Sequence, residues 1–330
     1  MKTAPLVQFH RVAITFERKR SERTNSLPYP APSLFDIDFE LYKQQRVGLI
    51  GETGSGKTTL GRLLVGLIKP TRGRIVYEGR DVSSLSSQEW RSSSEHYRMV
   101  FQNARNSFDP NQPIGESILD CFKHHRKLKR EEAKECIEAI LPKLDLRKDL
   151  LKSFPHEASL GEMKRFSILR TLSGSTTVLV ADEPTASLDR KTAQLILDLF
   201  HQLNQDDQIA LLLISHDIDM VIDNVEKLYV LYQGRLLEEL SICQSQPIRS
   251  LHPYTGLLMD PAKLNGNSEP LSLVNNTASN DDSNSGCVFL DHCFLCRKLG
   301  DPDDCRSVQP ELREVEPGHK TACWHYAELA

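Results

Sequence analysis

The sequence predicts an α/β fold: a largely parallel sheet with helices on both faces, joined by an N-terminal antiparallel β part, an inserted helical part and a small cysteine-rich C-terminal module. Three observations predict it. Short apolar runs at Arg46 to Ile50, Val178 to Ala181, Ile209 to Ser215 and Leu228 to Tyr232 read as buried strands. Stretches with helical spacing alternate with them, Leu60, Leu63, Leu64 and Leu67 in one and Ile196, Leu199, Phe200 and Leu203 in another. A glycine-rich turn separates the first strand from the first helix.

The elements follow in chain order. Residues 6–16 alternate at Val12, Ile14 and Phe16, as an edge strand does, and Phe35, Ile37, Phe39 and Leu41 repeat the period of two. Between them Glu17 to Pro32 is charged and then proline-rich, which reads as a loop. Lys69-Pro70 ends the first helix. Residues 104–172 read mainly as helix, an insertion into the core; in Glu131 to Leu144, Ile137, Ile140 and Leu144 share one face. Leu264 to Gly286 is rich in Asn, Ser and Asp and reads as a flexible linker. The expected boundaries are therefore a main domain at 1–262, a linker at 263–286 and the cysteine-rich module at 287–330, with no internal repeat.

The chain has 330 residues, 39% of them hydrophobic, enough for one large core and a small appended module. A net charge of −4 with no basic stripe argues against nucleic-acid binding. The basic run Lys123 to Arg130 is followed at once by Glu131 and Glu132, as on a solvated helix face. The longest strongly apolar run, Ile209 to Ile214, falls far short of the ~20 residues of a spanning helix. The N-terminus lacks a signal peptide's apolar core. These features predict a cytosolic chain that meets the membrane through partners. Of eight cysteines, Cys121, Cys136 and Cys243 are scattered, whereas Cys287, Cys293, Cys296, Cys305 and Cys323 crowd the tail. In a reducing compartment, clustered thiols point to metal before disulfides.

Gly51-Glu52-Thr53-Gly54-Ser55-Gly56-Lys57-Thr58 fits the phosphate-binding P-loop pattern and lies between a buried strand and a helix, where that loop must be. Its glycines let backbone N–H groups turn toward phosphate oxygens, Lys57 reaches the β- and γ-phosphates, and the Thr58 hydroxyl is placed to ligate Mg²⁺. Thr59 continues the segment onto the helix, whose N-terminus adds partial positive charge. Val178 to Ala181 runs into Asp182 and Glu183. An Asp there holds Mg²⁺, and the adjacent Glu suits a general base that polarises the attacking water.

These pieces occur in the order in which ABC ATPases carry them, and the chain resembles that family over about residues 1–260. Met99-Val-Phe-Gln102 is similar to the Q-loop, which implies that Gln102 contacts Mg²⁺ or the attacking water and reports to transmembrane subunits. Asp182 to Asp189 resembles the Walker B strand entering the D-loop. Leu213-Ile-Ser-His216-Asp is similar to the switch segment, which implies that His216 touches the γ-phosphate. Phe16 is the aromatic expected to stack on adenine.

One motif departs from the family. Ala158-Ser159-Leu160-Gly161-Glu162 stands where the signature Leu-Ser-Gly-Gly-Gln is expected. The resemblance implies that Ser159 and Gly161 meet the γ-phosphate of ATP bound to a partner subunit. Leu160 then crowds that phosphate or denies a glycine-type backbone angle, and Glu162 adds negative charge, unless the site tolerates both. In the family two ATPase chains pair head to tail, so an altered signature weakens only the partner's site in a heterodimer.

Gln102 to Pro110, Leu251-His-Pro-Tyr-Thr255 and the cysteine tail are similar to the oligopeptide, dipeptide and nickel permease group. That resemblance implies an ATP-binding and hydrolysing importer subunit on the cytoplasmic face of the membrane, with ATP and Mg²⁺ as cofactors. It implies as partners a second, different ATPase, two permeases and an extracytoplasmic solute-binding protein. It also implies a 4Fe-4S cluster on Cys287, Cys293, Cys305 and Cys323; tetrahedral zinc or reduced structural thiols satisfy the same residues, with Cys296, His292 and His325 as spare ligands. Two other readings stand beside the transporter: a soluble ABC-type ATPase of translation or DNA repair, and a regulatory half of a heterodimer that hydrolyses weakly.

Overall fold

The structure is a computed structural model that describes residues 4–15, 34–243, 247–259 and 286–329. The strands are β1 (Val7–Ile14), β2 (Leu34–Leu41), β3 (Arg46–Ile50), β4 (Arg72–Tyr77), β5 (Arg80–Asp81), β6 (Tyr97–Val100), β7 (Val178–Asp182), β8 (Ala210–Ser215), β9 (Lys227–Tyr232), β10 (Arg235–Ser241), β11 (Arg313–Glu316) and β12 (His319–Thr321). The helices are α1 (Lys57–Leu64), α2 (Ser87–Ser93), α3 (Ile114–Arg126), α4 (Arg130–Ile140), α5 (Leu160–Thr171), α6 (Arg190–Asp206), α7 (Ile218–Ile222), α8 (Pro253–Met259), α9 (Phe294–Lys298) and α10 (Asp303–Ser307).

β2, β1, β4 and β5 form an antiparallel sheet in that order. The central sheet runs β11-β12-β10-β9-β3-β8-β7-β6. Its part from β9 to β6 is parallel, and β10, β12 and β11 add antiparallel strands. The period of two along each central strand divides its residues between two cores. Val47, Leu49, Leu212 and Ile214 join the cluster under the antiparallel sheet, with Phe9, Ile37 and Phe39. Ile50, Leu211 and Leu213 face the other cluster, with Ile118, Phe122, Phe166 and the tail residue Phe289. Between residues 104 and 172 lie α3, α4 and α5 with intervening 3₁₀ turns.

Two expectations change. β1 is internal to its sheet, because β4 pairs along its second side with Val7 opposite Tyr77. Leu67 lies beyond α1 and is 56% exposed, because Gly66 turns the chain at φ 72°. The tail adds to the central sheet: β12 pairs with β10, placing Thr321 opposite Glu238 and His319 opposite Leu240. Short polar strands such as these lack the apolar alternation that sequence reading requires. Most of the expected linker, and Phe16 with its adenine-stacking role, lie outside the described residues.

Candidate functional site

The candidate residues leave one edge of the central sheet. β3, β8 and β7 are parallel neighbours, with Ile50 opposite Ser215 and Asp182 opposite Ile214. Gly51, His216 and Glu183 are the next residues at three adjacent carboxyl ends, where open α/β sheets bind ligands. Val100 of β6 pairs with Ala181, so Gln102 follows at the same edge, exposed.

The loop from Gly51 to Thr58 needs its glycines. Gly51 has φ 153°, and a Cβ there would lie 2.1 Å from the Leu231 carbonyl oxygen. Gly54 and Gly56 also have positive φ, at 86° and 110°. Thr53 is exposed, whereas Thr59 is buried at the start of α1. Lys57 curls back over the loop, and its Nζ donates to the carbonyl oxygens of Gly51 at 2.6 Å and Glu52 at 2.8 Å. Burial lowers its pKa, against the pull of Glu183, Asp182 and Glu52. The Ser55 hydroxyl is buried without a hydrogen-bond partner among the described residues. A phosphate oxygen in the loop is the kind of acceptor that satisfies such a group.

The Thr58 hydroxyl donates to Asp182 Oδ2 at 2.8 Å. Burial raises the Asp182 pKa, and the Thr58 hydrogen bond opposes that rise. Two converging oxygens of this kind fit Mg²⁺, a hard cation that takes oxygen ligands. Glu183, next in sequence, has φ 49° and donates its backbone N–H to the Ile214 carbonyl at 2.9 Å. Its carboxylate oxygens lie 2.8 and 2.9 Å from His216 Nδ1. The Glu183 side chain is 10% exposed and that of His216 64%. A buried carboxylate is thus paired with a ring that reaches solvent.

Two contacts escaped the sequence. Lys164 of α5 is buried, and its Nζ donates to the carbonyl oxygens of Glu183 at 3.1 Å and Ala186 at 2.5 Å. It ties the helix that begins at Leu160 to the segment after Asp182. The Tyr254 hydroxyl accepts from the Glu52 backbone N–H at 3.0 Å. Glu52 is partly buried, and burial raises its carboxyl to about 7 although Lys57 pulls it down. No side-chain pattern marks either contact in advance, since both join segments far apart in the chain.

Ser159 caps α5. Its Oγ accepts from Glu162 N–H at 3.2 Å, while Glu162 Oε2 accepts from Ser159 N–H and its hydroxyl, both at 2.8 Å. Those bonds lower the Glu162 pKa. Leu160 opens the helix without a positive φ, so the expected backbone conflict does not arise; its side chain is 39% exposed. Among the described residues no hydrogen bond joins Ser159 or Gly161 to the Gly51–Thr59 loop.

The tail thiols converge. Cys287, Cys293, Cys305 and Cys323 line one cavity, and so does Cys296, with His252, Phe289 and Trp324. Burial raises Cys287 to about 11 and Cys305 and Cys323 to about 12, and it also raises Cys293. Cys293 Sγ accepts the Cys296 backbone N–H at 3.3 Å. Among the described residues the metal-ligating group whose donor atoms all lie within 4.8 Å of one another is Asp304, Cys305 and His325; no three of the thiols are that close.

Residues 34–186 match the family model described as ABC transporter. The chain is 34% identical to a Brucella ovis protein named for peptide import and ATP binding, over 88% of this chain and 90% of that one. It is 30% identical to the Bacillus subtilis oligopeptide transport ATP-binding protein AppF, over 88% of each chain. It is 31% identical to the Salmonella typhimurium oligopeptide transport ATP-binding protein OppF, over 87% of this chain and 86% of that one. A dimeric bacterial ABC transporter cassette shares the fold with a TM-score of 0.62 at 23% identity, covering 72% of this chain and 99% of the cassette.

Proposed function

The chain belongs to the ABC transporter family of ATP-binding subunits, and on that premise we propose that it powers the import of peptides through separate membrane permeases. It is an ATP-hydrolysing transporter subunit. The peptide cargo rests on relatives named for peptide import and oligopeptide transport. Among the described residues no helix is long and apolar enough to cross a membrane. The proposed place of work is the cytoplasmic face, docked on the permeases, with an extracytoplasmic binding protein delivering the solute.

The observation that carries the mechanism is Glu183 beside His216, at the strand ends next to the loop of Lys57. In this reading the loop amides and Lys57 hold the β- and γ-phosphates. Glu183 orients a water for in-line attack on the γ-phosphorus, His216 steadies Glu183 and faces the γ-phosphate, and Gln102 contacts the metal or the water. Thr58 and Asp182 would hold Mg²⁺, which would supply charge neutralisation at the phosphates. Bond formation to the water oxygen and cleavage of the β–γ bridge leave ADP and phosphate. Glu183→Gln in the assembled complex tests this assignment. Nucleotide binding is expected to persist while ATPase activity and uptake fall roughly 100- to 10,000-fold. Retained hydrolysis would remove Glu183 from the role.

A heterodimer with a different ATPase follows from the same reading. A homodimer would set Leu160 and Glu162 over both ATPs, whereas a heterodimer lets this chain's intact loop face another signature. The tail residues fit a thiolate-bound centre. Four thiolates can hold a 4Fe-4S cluster or a tetrahedral zinc ion; the proposed centre is an iron–sulfur cluster on Cys287, Cys293, Cys305 and Cys323, with Cys296 as alternate and zinc as the other occupant. Such a centre would supply a rigid crosslink of the tail. Purifying the native chain in gentle detergent tests the partners. Two permeases and a second ATPase are expected; a soluble chain with ribosomes or repair factors would overturn the transport role.

A further inference from the structure

The phosphate loop and the cysteine cavity share a wall. The Glu52 amide, second in the loop, is held from outside by the Tyr254 hydroxyl at 3.0 Å. The Tyr254 ring is fully buried, with its centroid 4.7 Å from Tyr232 and 5.4 Å from Phe289. Phe289 is also fully buried and lines the cavity beside Cys287 and Cys293. A second strut runs through His252. Its Nδ1 accepts the Tyr254 backbone N–H at 3.1 Å, its ring lies 5.7 Å from Phe289, and it hydrogen-bonds the backbone of Ala322, the neighbour of Cys323. His252 lines the same cavity. These groups sit outside the reacting centre, yet each touches both the loop's support and the thiols' enclosure.

We infer that Tyr254 is a positioning residue for the nucleotide loop, and that through Tyr254, Phe289 and His252 the filling of the cysteine cavity sets how tightly the chain holds ATP. Close-packed interiors pass displacements on, because their side chains have no slack. A change at the thiols moves Phe289 or His252, and either movement shifts the Tyr254 hydroxyl relative to the Glu52 amide. Losing that acceptor leaves a loop amide unpartnered and loosens the turn that presents the phosphate-binding N–H groups. The dependence must be reciprocal: nucleotide in the loop stabilises the closed cavity by the same factor by which the closed cavity favours nucleotide. The inference rests on the reading of Gly51–Thr58 as the ATP site.

The test uses the full chain in its purified complex, with the magnesium salt of a non-hydrolysable ATP analogue as the probe. Two quantities are measured: analogue affinity by calorimetry, and the rate at which N-ethylmaleimide labels the tail cysteines with and without analogue, read by mass spectrometry of tail peptides. For metal-loaded protein, release of metal to a chelator replaces labelling. In the wild type, analogue is expected to slow labelling or release. Tyr254→Phe keeps the ring and removes only the hydroxyl; it is expected to weaken analogue binding roughly three- to tenfold and to abolish the protection. Phe289→Leu keeps the hydroxyl but opens the relay, and is expected to lose the protection with a smaller change in affinity. Wild-type affinity and wild-type protection in Tyr254→Phe would overturn the inference, as would wild-type thiols indifferent to the analogue. A wild type that binds no analogue would overturn the ATP-site reading instead.

Discussion

His216 Nδ1 lies 2.8 Å from Glu183 Oε1, joining the carboxyl ends of strands that are paired neighbours in the sheet. The ring is the solvent-facing partner and the carboxylate the buried one. His216→Ala is therefore expected to free the Glu183 carboxylate from its side-chain hydrogen-bond partner among the described residues while leaving the loop intact. The ATPase rate should fall on the order of a hundredfold, with nucleotide affinity little changed. Steady-state kinetics beside equilibrium binding checks the split; a loss confined to affinity would place His216 in binding alone.

Glu52 gives a pH signature. Its folded carboxyl titrates at about 7, against 4.5 for the free side chain, because of burial. Between those values the folded chain keeps a proton that the unfolded chain has released. Stability contributed by this group is greatest below the unfolded value and declines as pH rises toward 7. Glu52→Gln removes the dependence. Its melting temperature, without nucleotide, should exceed that of the wild type at pH 8 and approach it near pH 5, as thermal unfolding at the two pH values would show.

Glu238 fastens the tail. Its buried Oε1 accepts the Leu251 backbone N–H at 2.5 Å and lies 2.6 Å from His319 Nε2. Glu238→Ala should strand both groups, at about 1–3 kcal/mol each, and loosen β12 from β10. Denaturant unfolding measures the loss, and faster tryptic cleavage at Lys320 locates it. Glu238→Gln, which keeps an acceptor, should lose less.

The signature offers a gain-of-function test. Ser159 and Glu162 satisfy each other in a capping box, so Ser159→Ala should cost about 1 kcal/mol of stability. In the proposed heterodimer, replacing Leu160 by Gly together with Glu162 by Gln should raise ATP turnover at the partner's site. Turnover is measured with this chain's own site silenced by Glu183→Gln. An unchanged rate would mean that the altered signature already serves its partner.

The fold and the site were legible to different depths. Gly51 to Thr58 and Asp182-Glu183 could be read because each motif is local: a strand, a turn and the residues it presents lie within a few positions. The pairing of Glu183 with His216 needs two strands side by side, and only the order of motifs hinted at it. Lys164 and Tyr254 were invisible as contacts, since each reaches carbonyls or an amide from a distant element. The expected backbone conflict at Leu160 failed for a local reason: that position begins a helix. The tail's cysteines were legible as a cluster, while its strands were hidden by polar composition and by their dependence on β10 as a template.

The order of strands has a consequence for synthesis. β3 carries the phosphate loop, yet its partners β8 and β9 are encoded far downstream, with Arg46 pairing with Leu211 and Val47 with Lys227. On the ribosome the glycine-rich turn emerges early and waits for its neighbours. Asp182, then His216 and finally Tyr254 must follow before Thr58 has its carboxylate partner, Glu183 its ring and the loop its outer brace. Folding of the catalytic sheet is thus deferred toward chain completion, as expected for parallel pairings between remote segments. A prematurely terminated product would carry the nucleotide motif without the walls that shape it, and the cell would meet it as a substrate for chaperones and proteases before it could act as an idle ATPase.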